Sequence, residues 1–369
     1  MTAVIPDDRV RGVVTVIPCD DLDATMEYFL DTLGFRLEKI SPADSPSMAV
    51  MSGHGALIRL QKVEGAFDPG AVQFLCEDPA SMPVLPMTAP NGTTVEFLPA
   101  DPDVAMPALE QSLVISTIEG NARFGVGRAG MNYRDLVPGR QGGRFIASHI
   151  RINDGGPVPD YVHFHKVRFQ MIFVYRGWVK VVYEDQGEPF IMQAGDCVLQ
   201  PPTIRHRVLE ASPGLEVIEI GCPAEHDTIA EHVITLPTGR TLPERQYGGQ
   251  LFVRHRAEDA PWSPFRYSGF EEQDLGIGWA THGLAGARVV RSAGGDTWPV
   301  AMVDNEFLFT FVMDGTAILT LAGHDAQPLV PGDCFVVPAQ QAYGLQAVSA
   351  DACFLEVSLP ADLQPRPIA

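Results

Sequence analysis

Short apolar runs separated by turn residues make up much of this chain. The apolar run at residues 171–175, for example, is followed by Gly177, where a strand must turn. The chain contains 35 glycines and 31 prolines among its 369 residues, which suits many short strands joined by turns. The pattern predicts a mainly β protein.

The N-terminal region also contains a helical pattern. Residues 11–18 predict a strand, and the acidic residues 20–23 supply the N-cap and first turn of a helix. Gly34 ends this helix. Apolar residues recur in it at spacings of three and four, as they do on one helical face: Met26, Phe29, Leu30 and Leu33. Strands are predicted to follow at 36–40, 47–51 and 56–61.

The segment DLDATMEYFLDTLGF at 21–35 resembles the first βαβββ module of the vicinal-oxygen-chelate family, which includes glyoxalase and bleomycin-resistance proteins. Residues 89–97 resemble the closing hairpin of that family. Around Val14 and Thr15, where the family often carries its first metal ligand, this chain has no His, Gln or Glu. We therefore predict that residues 1–100 form a non-catalytic domain with a structural or dimer-forming role.

The centre of the chain contains two histidines separated by one residue, His163 and His165. Side chains at i and i+2 of a strand point to the same face, about 6.6 Å apart along the chain. The two imidazoles can therefore approach one point, which is a geometry suited to holding a metal ion.

The residues that follow this pair resemble the two motifs of the cupin family. Four residues separate His165 from Gln170, and six residues separate Gln170 from Gly177. Gly195, Pro201 and His206 follow with intervals of five and four residues. The resemblance implies a small antiparallel β-barrel that holds one divalent metal on four side chains, with Gln where the family usually has Glu: His163, His165, Gln170 and His206.

An internal repeat continues to the end of the chain. Segments recur at an offset of about 137 to 139 residues, so that Gly177 matches Gly315. The residues at the four ligand positions of the second copy cannot hold a metal well: Ala301, Val303, Leu308 and Tyr343. The repeat predicts two cupin-like barrels, of which only the first binds metal.

These patterns predict four parts: a vicinal-oxygen-chelate-like domain (1–100), a linker rich in Asp, Pro and Ala (101–112), a metal-binding barrel (113–255) and a barrel without metal ligands (256–369). The predicted fold class is mainly β, with tandem double-stranded β-helix barrels preceded by a small α+β domain.

The net charge narrows the choice of partners. It is −20, so nucleic acid and anionic membrane surfaces would be repelled. No apolar run reaches the ~18 residues needed to cross a bilayer, and no signal peptide is expected. The six cysteines are scattered, with no CxxC pair, and predict reduced thiols in a cytoplasmic protein. Exposed barrel edges favour a homodimer.

The ligand set suits Fe(II), Zn(II), Ni(II) or Mn(II), and the residue types do not choose among them. The family resemblance favours one Fe(II) per chain. Four neutral ligands would not offset the 2+ charge of the metal ion, and this charge favours the binding of a small anionic substrate. Arg168 is predicted either to share the inward face of Gln170 and clamp a carboxylate, or to point outward. His149 and Tyr183 are further catalytic candidates.

The leading hypothesis for function is a metal-dependent dioxygenase acting on a small anionic or enolisable substrate, because the tandem cupins that the chain resembles include ring-cleaving and C–C-cleaving dioxygenases. One alternative is a redox-neutral isomerase, lyase or decarboxylase. Such an enzyme needs a base near the metal, a role for which Tyr183 or His149 would have to serve. The other alternative is a bicupin that binds a small molecule without catalysis.

Overall fold

A computed structural model describes residues 10–367 of the chain. The chain divides into two compact units, with the boundary in sequence between Asp103 and Val104. No helix in the described range is both long and apolar enough to cross a membrane.

The N-terminal unit contains the predicted β-α-β-β-β order of elements. Asp21 caps its helix by accepting a hydrogen bond from the backbone N–H of Ala24 (3.0 Å). The strands form a sheet in the order β1-β4-β3-β2, with β1 parallel to β4 and the other pairs antiparallel. The elements are Thr15–Cys19 (β1), Leu22–Glu27 (α1, continued by a π turn at Tyr28–Thr32), Arg36–Ser41 (β2), Met48–Gly53 (β3) and Ala56–Lys62 (β4).

Two further strands complete this unit, Ala71–Cys76 (β5) and Thr94–Pro99 (β6), which pair in parallel. Only a short 3₁₀ turn at Pro79–Ser81 lies between them. The element order therefore agrees with the sequence-based expectation, while the resemblance to the vicinal-oxygen-chelate family stays a prediction.

The second unit contains two similar β structures, each made of two antiparallel sheets that do not close into one continuous ladder. We call them the first and second barrel. The sheets of the first barrel have the orders β22-β16-β13-β18-β10-β9-β8 and β15-β14-β17-β12-β19, with β11 also paired to β17. Its elements are Gly125–Val126 (β8), Asn132–Asp135 (β9), Arg140–Gly143 (α2), Ile146–Ile152 (β10), Gly156–Pro157 (β11), His163–Phe164 (β12), Phe169–Arg176 (β13), Trp178–Tyr183 (β14), Phe190–Gln193 (β15), Cys197–Leu199 (β16), His206–Ala211 (β17), Leu215–Cys222 (β18), Ile229–Ala230 (β19), the small pair Gln246–Tyr247 (β20) and Gln250–Leu251 (β21), and Val253–His255 (β22).

The second barrel repeats this arrangement, with sheets β23-β24-β25-β32-β27-β30-β7 and β29-β28-β31-β26-β33. Its elements are Val114–Ser116 (β7), Ser263–Pro264 (β23), Phe270–Asp274 (β24), Ile277–Ala280 (α3), Gly286–Ser292 (β25), Trp298–Met302 (β26), Phe307–Asp314 (β27), Ala317–Leu321 (β28), Gln327–Leu329 (β29), Cys334–Val336 (β30), Tyr343–Gln346 (β31), Cys353–Leu359 (β32) and Arg366–Pro367 (β33).

Strand β7 corrects one detail of the predicted boundaries. The sequence assigned everything from residue 113 to the first barrel, but β7 pairs with β30 of the second barrel. The repeat could not reveal this pairing, because a strand can join a sheet far along the chain from its neighbours in sequence.

Side chains on the two faces of β13 belong to two different hydrophobic clusters. Val174 packs inside the first barrel, whereas Phe169, Met171 and Phe173 belong to a cluster that also contains Phe309 of the second barrel. Side chains on the two faces of this strand therefore serve two cores, one inside the barrel and one between the barrels.

The strand register confirms the alignment of the two copies. His163 pairs with His206 across β12 and β17, and Ala301 pairs with Tyr343 in the same way across β26 and β31. The interior of the second barrel is filled by buried aromatic side chains, including Trp298 and Tyr343. Packed side chains thus occupy the region that corresponds to the histidines of the first barrel.

Candidate metal centre

Three histidines of the first barrel converge on one point. His163 lies on β12 directly opposite His206 of β17, and His165 follows β12 immediately. One ring nitrogen from each lies within 4.8 Å of the other two, and all three residues are buried. This is a set of side chains that can surround a single ion.

Backbone carbonyls fix the orientation of all three rings. Each Nδ1 faces a carbonyl oxygen, which can only accept a hydrogen bond, so each Nδ1 carries the proton and each Nε2 offers a lone pair. The pairs are His163 with Tyr161 (2.7 Å), His165 with Asp227 (2.9 Å) and His206 with Ile204 (3.0 Å). Three oriented Nε2 lone pairs in one place fit a divalent metal ion.

Burial keeps these imidazoles neutral. Desolvation lowers the pKa of His163 and His206, and it lowers the pKa of His165 to about 3. Because a metal binds the unprotonated ring, the three side chains are already in their ligating form near neutral pH.

Gln170, the fourth predicted ligand, points toward the interior of the first barrel but has another contact. Its Nε2 donates a hydrogen bond to Oε1 of Glu219 (2.6 Å). Only its Oε1 is then left to face a metal. The structure thus brings three of the four predicted ligands together directly, and the ligand role of Gln170 stays a prediction.

Glu219 on β18 was missed by the sequence analysis, because it belongs to neither motif. It lines the same cavity as the three histidines, yet no acidic oxygen of the described residues joins the cluster of histidine nitrogens. Its Oε1 accepts a hydrogen bond from Nε2 of Gln170. The carboxylate is therefore available to a molecule in the cavity.

Arg128 was also missed, since it lies far upstream of both motifs. Its Nη2 donates a hydrogen bond to Nε2 of His163 (3.1 Å), a bond that a metal ion on that nitrogen would replace, and its Nη1 contacts Asp160. The Asp160 side chain is fully buried, whereas the Arg128 side chain is 30% exposed. Asp160 holds this guanidinium at the edge of the cavity, where it can meet an anion.

Of the two positions predicted for Arg168, the structure does not show the inward one. Arg168 lies in a bend before β13 begins, so strand alternation does not extend to it. Its guanidinium donates to Glu306 of the second barrel (2.7 Å), which Arg144 also contacts (2.9 Å). Arg168 therefore joins the barrels and does not line the cavity.

His149, a catalytic candidate from the sequence, does not line the cavity. It lies on β10, but its neighbour Ile150 is the residue that faces the barrel interior. The His149 ring contacts Glu216 (2.5 Å) and packs edge-to-face on Phe311 of the second barrel. His149 is thus a buried residue between the barrels, outside the cavity.

Tyr183 does line the cavity. Its ring stacks on His206 with ring centres 5.5 Å apart, and its hydroxyl accepts a hydrogen bond from Nε2 of Gln200 (2.9 Å). Burial raises the pKa of this phenol, so Tyr183 is a hydrogen-bond donor and not a base.

The cavity has a volume of about 90 Å³, which is room for a small ligand. Its polar lining includes Arg128, Glu219 and the three histidines. The rest is largely aliphatic or methionine side chains: Met131, Ile150, Ile152, Ile172, Val179, Val181, Met192, Val208, Leu215 and Val217.

Comparison with known proteins shows that the second unit has the fold of bicupins. No family model matches the sequence, and no curated protein matches it either. Solved structures do match. A mutant of oxalate decarboxylase from Bacillus subtilis has a TM-score of 0.51 at 13% identity, covering 72% of this chain and 81% of that one. Oxalate decarboxylase from Lactobacillus farciminis, in a formate complex, has a TM-score of 0.51 at 14% identity, covering 72% and 90%. A putative glyoxylate-induced protein from Pseudomonas aeruginosa has a TM-score of 0.51 at 13% identity, covering 72% and 95%.

These comparisons overturn one expectation. The sequence analysis favoured a dioxygenase-type oxidoreductase, but the structures that share this fold include several oxalate decarboxylases, and a decarboxylase is a lyase. The preference for an oxidoreductase relied on the family resemblance, and no residue in the cavity requires it.

Proposed function

We propose that this protein is a metal-dependent lyase that removes CO2 from a small carboxylic acid bound in the first barrel. The observation that carries the proposal is the convergence of three oriented, neutral histidines in a cavity that also contains Arg128 and Glu219. These residues supply a metal site, a binding group for an anion and a group for proton transfer.

The histidines His163, His165 and His206 would hold the metal, and Gln170 would add an amide oxygen if it is a ligand. A bound divalent ion supplies positive charge that stabilises negative charge on a substrate oxygen. The donor set accepts several ions. Mn(II) is the first to test, because one related structure of the Bacillus enzyme is described by its Mn(II) centres, and Fe(II) stays the prediction from sequence.

Arg128 would bind and orient the substrate carboxylate. Its guanidinium lies next to His163 and is fixed by Asp160, so it presents its remaining N–H groups without further ordering. The hydroxyl of Tyr183 would donate a second hydrogen bond from the opposite strand, because its accepting lone pair is already used by Gln200.

Glu219 would move the proton. When the bond between the carboxylate and C2 of a 3-oxo acid breaks, CO2 leaves and the electron pair is shared between C2 and the oxygen of the 3-oxo group as an enolate. Glu219 would take up a proton from solvent, donate it to C2 of the enolate and return to its carboxylate form. Gln170 holds Oε1 of Glu219 during this step. The net reaction consumes one proton and no oxidant.

The experiment combines metal analysis with a CO2-release assay. Protein loaded with Mn(II) would be compared with His163→Ala and His206→Ala, and with His324→Ala as a matched control, because His324 is exposed on the second barrel. We expect about one metal ion per chain in the wild type and control, and loss of metal and CO2 release in both site variants.

Oxygen uptake would be recorded in the same reactions, with 3-oxo acids as substrates and 2-oxo acids for comparison, because only a 3-oxo acid can pass the electron pair to an oxygen that the metal stabilises. Release of CO2 without oxygen consumption supports a lyase. Stoichiometric metal binding with no CO2 release from any acid would contradict the lyase proposal and favour a bicupin that only binds small molecules.

A further inference from the structure

The cavity of the first barrel has a polar end and an apolar end, and the strand register shows how they are arranged. Along β18, the inward-facing residues are Leu215, Val217 and Glu219 in that order. Along β14 they are Val179, Val181 and Tyr183. Each strand therefore changes from aliphatic to polar over four residues, or about 13 Å.

The polar ends of the two strands lie at the same end of the barrel. Tyr183 pairs with His206 of the metal site, and Glu219 contacts Gln170. The aliphatic ends also coincide, because β13 and β14 are joined by the turn at Gly177, and Val174 near that turn pairs with Val217.

Neighbouring strands extend the apolar end. Ile152 pairs with Leu215 and Ile150 pairs with Val217 on one sheet, while Met192 pairs with Val179 on the other. All of these side chains line the cavity. At these positions both sheets present aliphatic or methionine side chains, and the ring of Tyr133, which pairs with Ile150, lies beside them with its hydroxyl on the sulfur of Met131. A further polar group placed here would lose its hydrogen bonds to water.

We infer that the ligand of this site is a carboxylic acid with an apolar body of several carbons, whose carboxylate end lies at the histidines and Arg128 and whose body lies against Val217 and Val179. The inference rests on the proposed function for the position of the carboxylate. It excludes oxalate as the preferred ligand, because oxalate is polar throughout and would leave the apolar end unfilled.

The test is a binding series on Mn(II)-loaded protein by isothermal titration calorimetry. The ligands are pyruvate, 2-oxobutanoate, 2-oxopentanoate and 2-oxohexanoate, with oxalate for comparison. We expect the affinity to rise about fourfold for each added CH₂, which corresponds to about 0.8 kcal/mol of apolar transfer. The longest acid would then bind roughly 50-fold more tightly than pyruvate.

Val217→Thr provides the matched variant, since threonine has nearly the same shape as valine but places a hydroxyl in the apolar end. We expect this substitution to weaken the binding of 2-oxohexanoate at least fivefold and to change the affinity for pyruvate less than twofold. The same substitution at Val330, which is 42% exposed on the second barrel, is the control and is expected to change neither affinity.

Equal affinity across the series, no binding of any acid, or oxalate binding as tightly as 2-oxohexanoate would overturn the inference. The same affinities measured in metal-free His206→Ala would also overturn it, because the carboxylate would then lie away from the histidines. A rising series with no CO2 release would contradict the proposed lyase activity and leave this inference supported.

Discussion

Gln170 and Glu219 show how single residues change the chemistry of this site. The position that usually holds Glu in the resembled motif holds an amide, and a carboxylate is supplied instead by the neighbouring strand, 2.6 Å from that amide. The second barrel has the same carboxylate, because Glu356 pairs with Thr310 as Glu219 pairs with Ile172. There Arg266 binds it in a buried ion pair. The first barrel leaves its carboxylate open to the cavity.

Glu219→Gln should separate proton transfer from binding. The new amide oxygen can still accept the hydrogen bond from Gln170, so we expect metal content and 2-oxohexanoate affinity to stay within about twofold to threefold. The rate of CO2 release should fall by roughly 10²- to 10⁴-fold, as for loss of a general acid. Metal analysis, calorimetry and the CO2 assay measure the three quantities. Loss of metal would instead identify Glu219 as a ligand.

At the scale of elements, the start of β13 separates residues that alternate between the two faces of a strand from Arg168, which contacts the second barrel. Residues within the strand alternate between the barrel interior and the layer between barrels, as Val174 and Phe173 do. Arg168 lies just before the strand and reaches Glu306 of the second barrel. A position two residues from Gln170 therefore does not share its face, because alternation holds only where the backbone is extended.

Arg168→Ala should weaken the contact between barrels and leave the metal site intact. Glu306 would keep its contact with Arg144, and both partners of the lost pair are partly exposed, so we expect unfolding to become easier by only about 1 kcal/mol. Urea denaturation and metal analysis test this. Unchanged stability combined with lost affinity for 2-oxo acids would support the original prediction of a carboxylate clamp.

At the scale of the whole molecule, the second barrel packs against the first and shares a hydrophobic cluster with it. The two share one buried cluster, in which Phe145 stacks on Phe307 with ring centres 4.3 Å apart. The buried ring of His149 packs against Phe311 in this layer. Burial of such a ring couples folding to pH, because the folded protein resists protonation that the unfolded chain accepts.

The metal-free protein should therefore lose stability as the pH falls below 6.5. Burial lowers the pKa of His149, His163, His165 and His206 in the folded state. Above the ordinary histidine pKa near 6.5, these rings are neutral in both the folded and the unfolded chain. As the pH falls from 6.5 toward the lowered pKa values of the folded state, the unfolded chain binds protons that the folded protein does not, so the folded protein loses stability. At pH 5.5 the loss is at most about 1.4 kcal/mol for each ring.

Urea denaturation of metal-free protein at pH 7.5 and 5.5 measures this effect. His165→Gln removes one of the four groups and should reduce the difference between the two pH values by about 1 kcal/mol. Equal stability of the wild type at both pH values would show that folding does not lower the pKa of these rings.

The sequence by itself determined the features that depend on local spacing. The βαβββ order, the turn at Gly177 and the repeated barrel all follow from intervals along the chain. The strand of the HxH pair ends at Phe164, before His165, yet His163, His165 and His206 do meet. The offset of the repeat also identified Ala301 and Tyr343 as the residues that replace two ligands in the second barrel.

Only the tertiary structure decided which other side chains reach the site. Arg128 and Glu219 enter the cavity from strands and turns distant in sequence, while Arg168 and His149 turn to the layer between the barrels. The strand β7 joins a sheet whose other strands begin at residue 263. Local spacing fixes which residues share a face, but the packing of sheets against one another decides what that face meets.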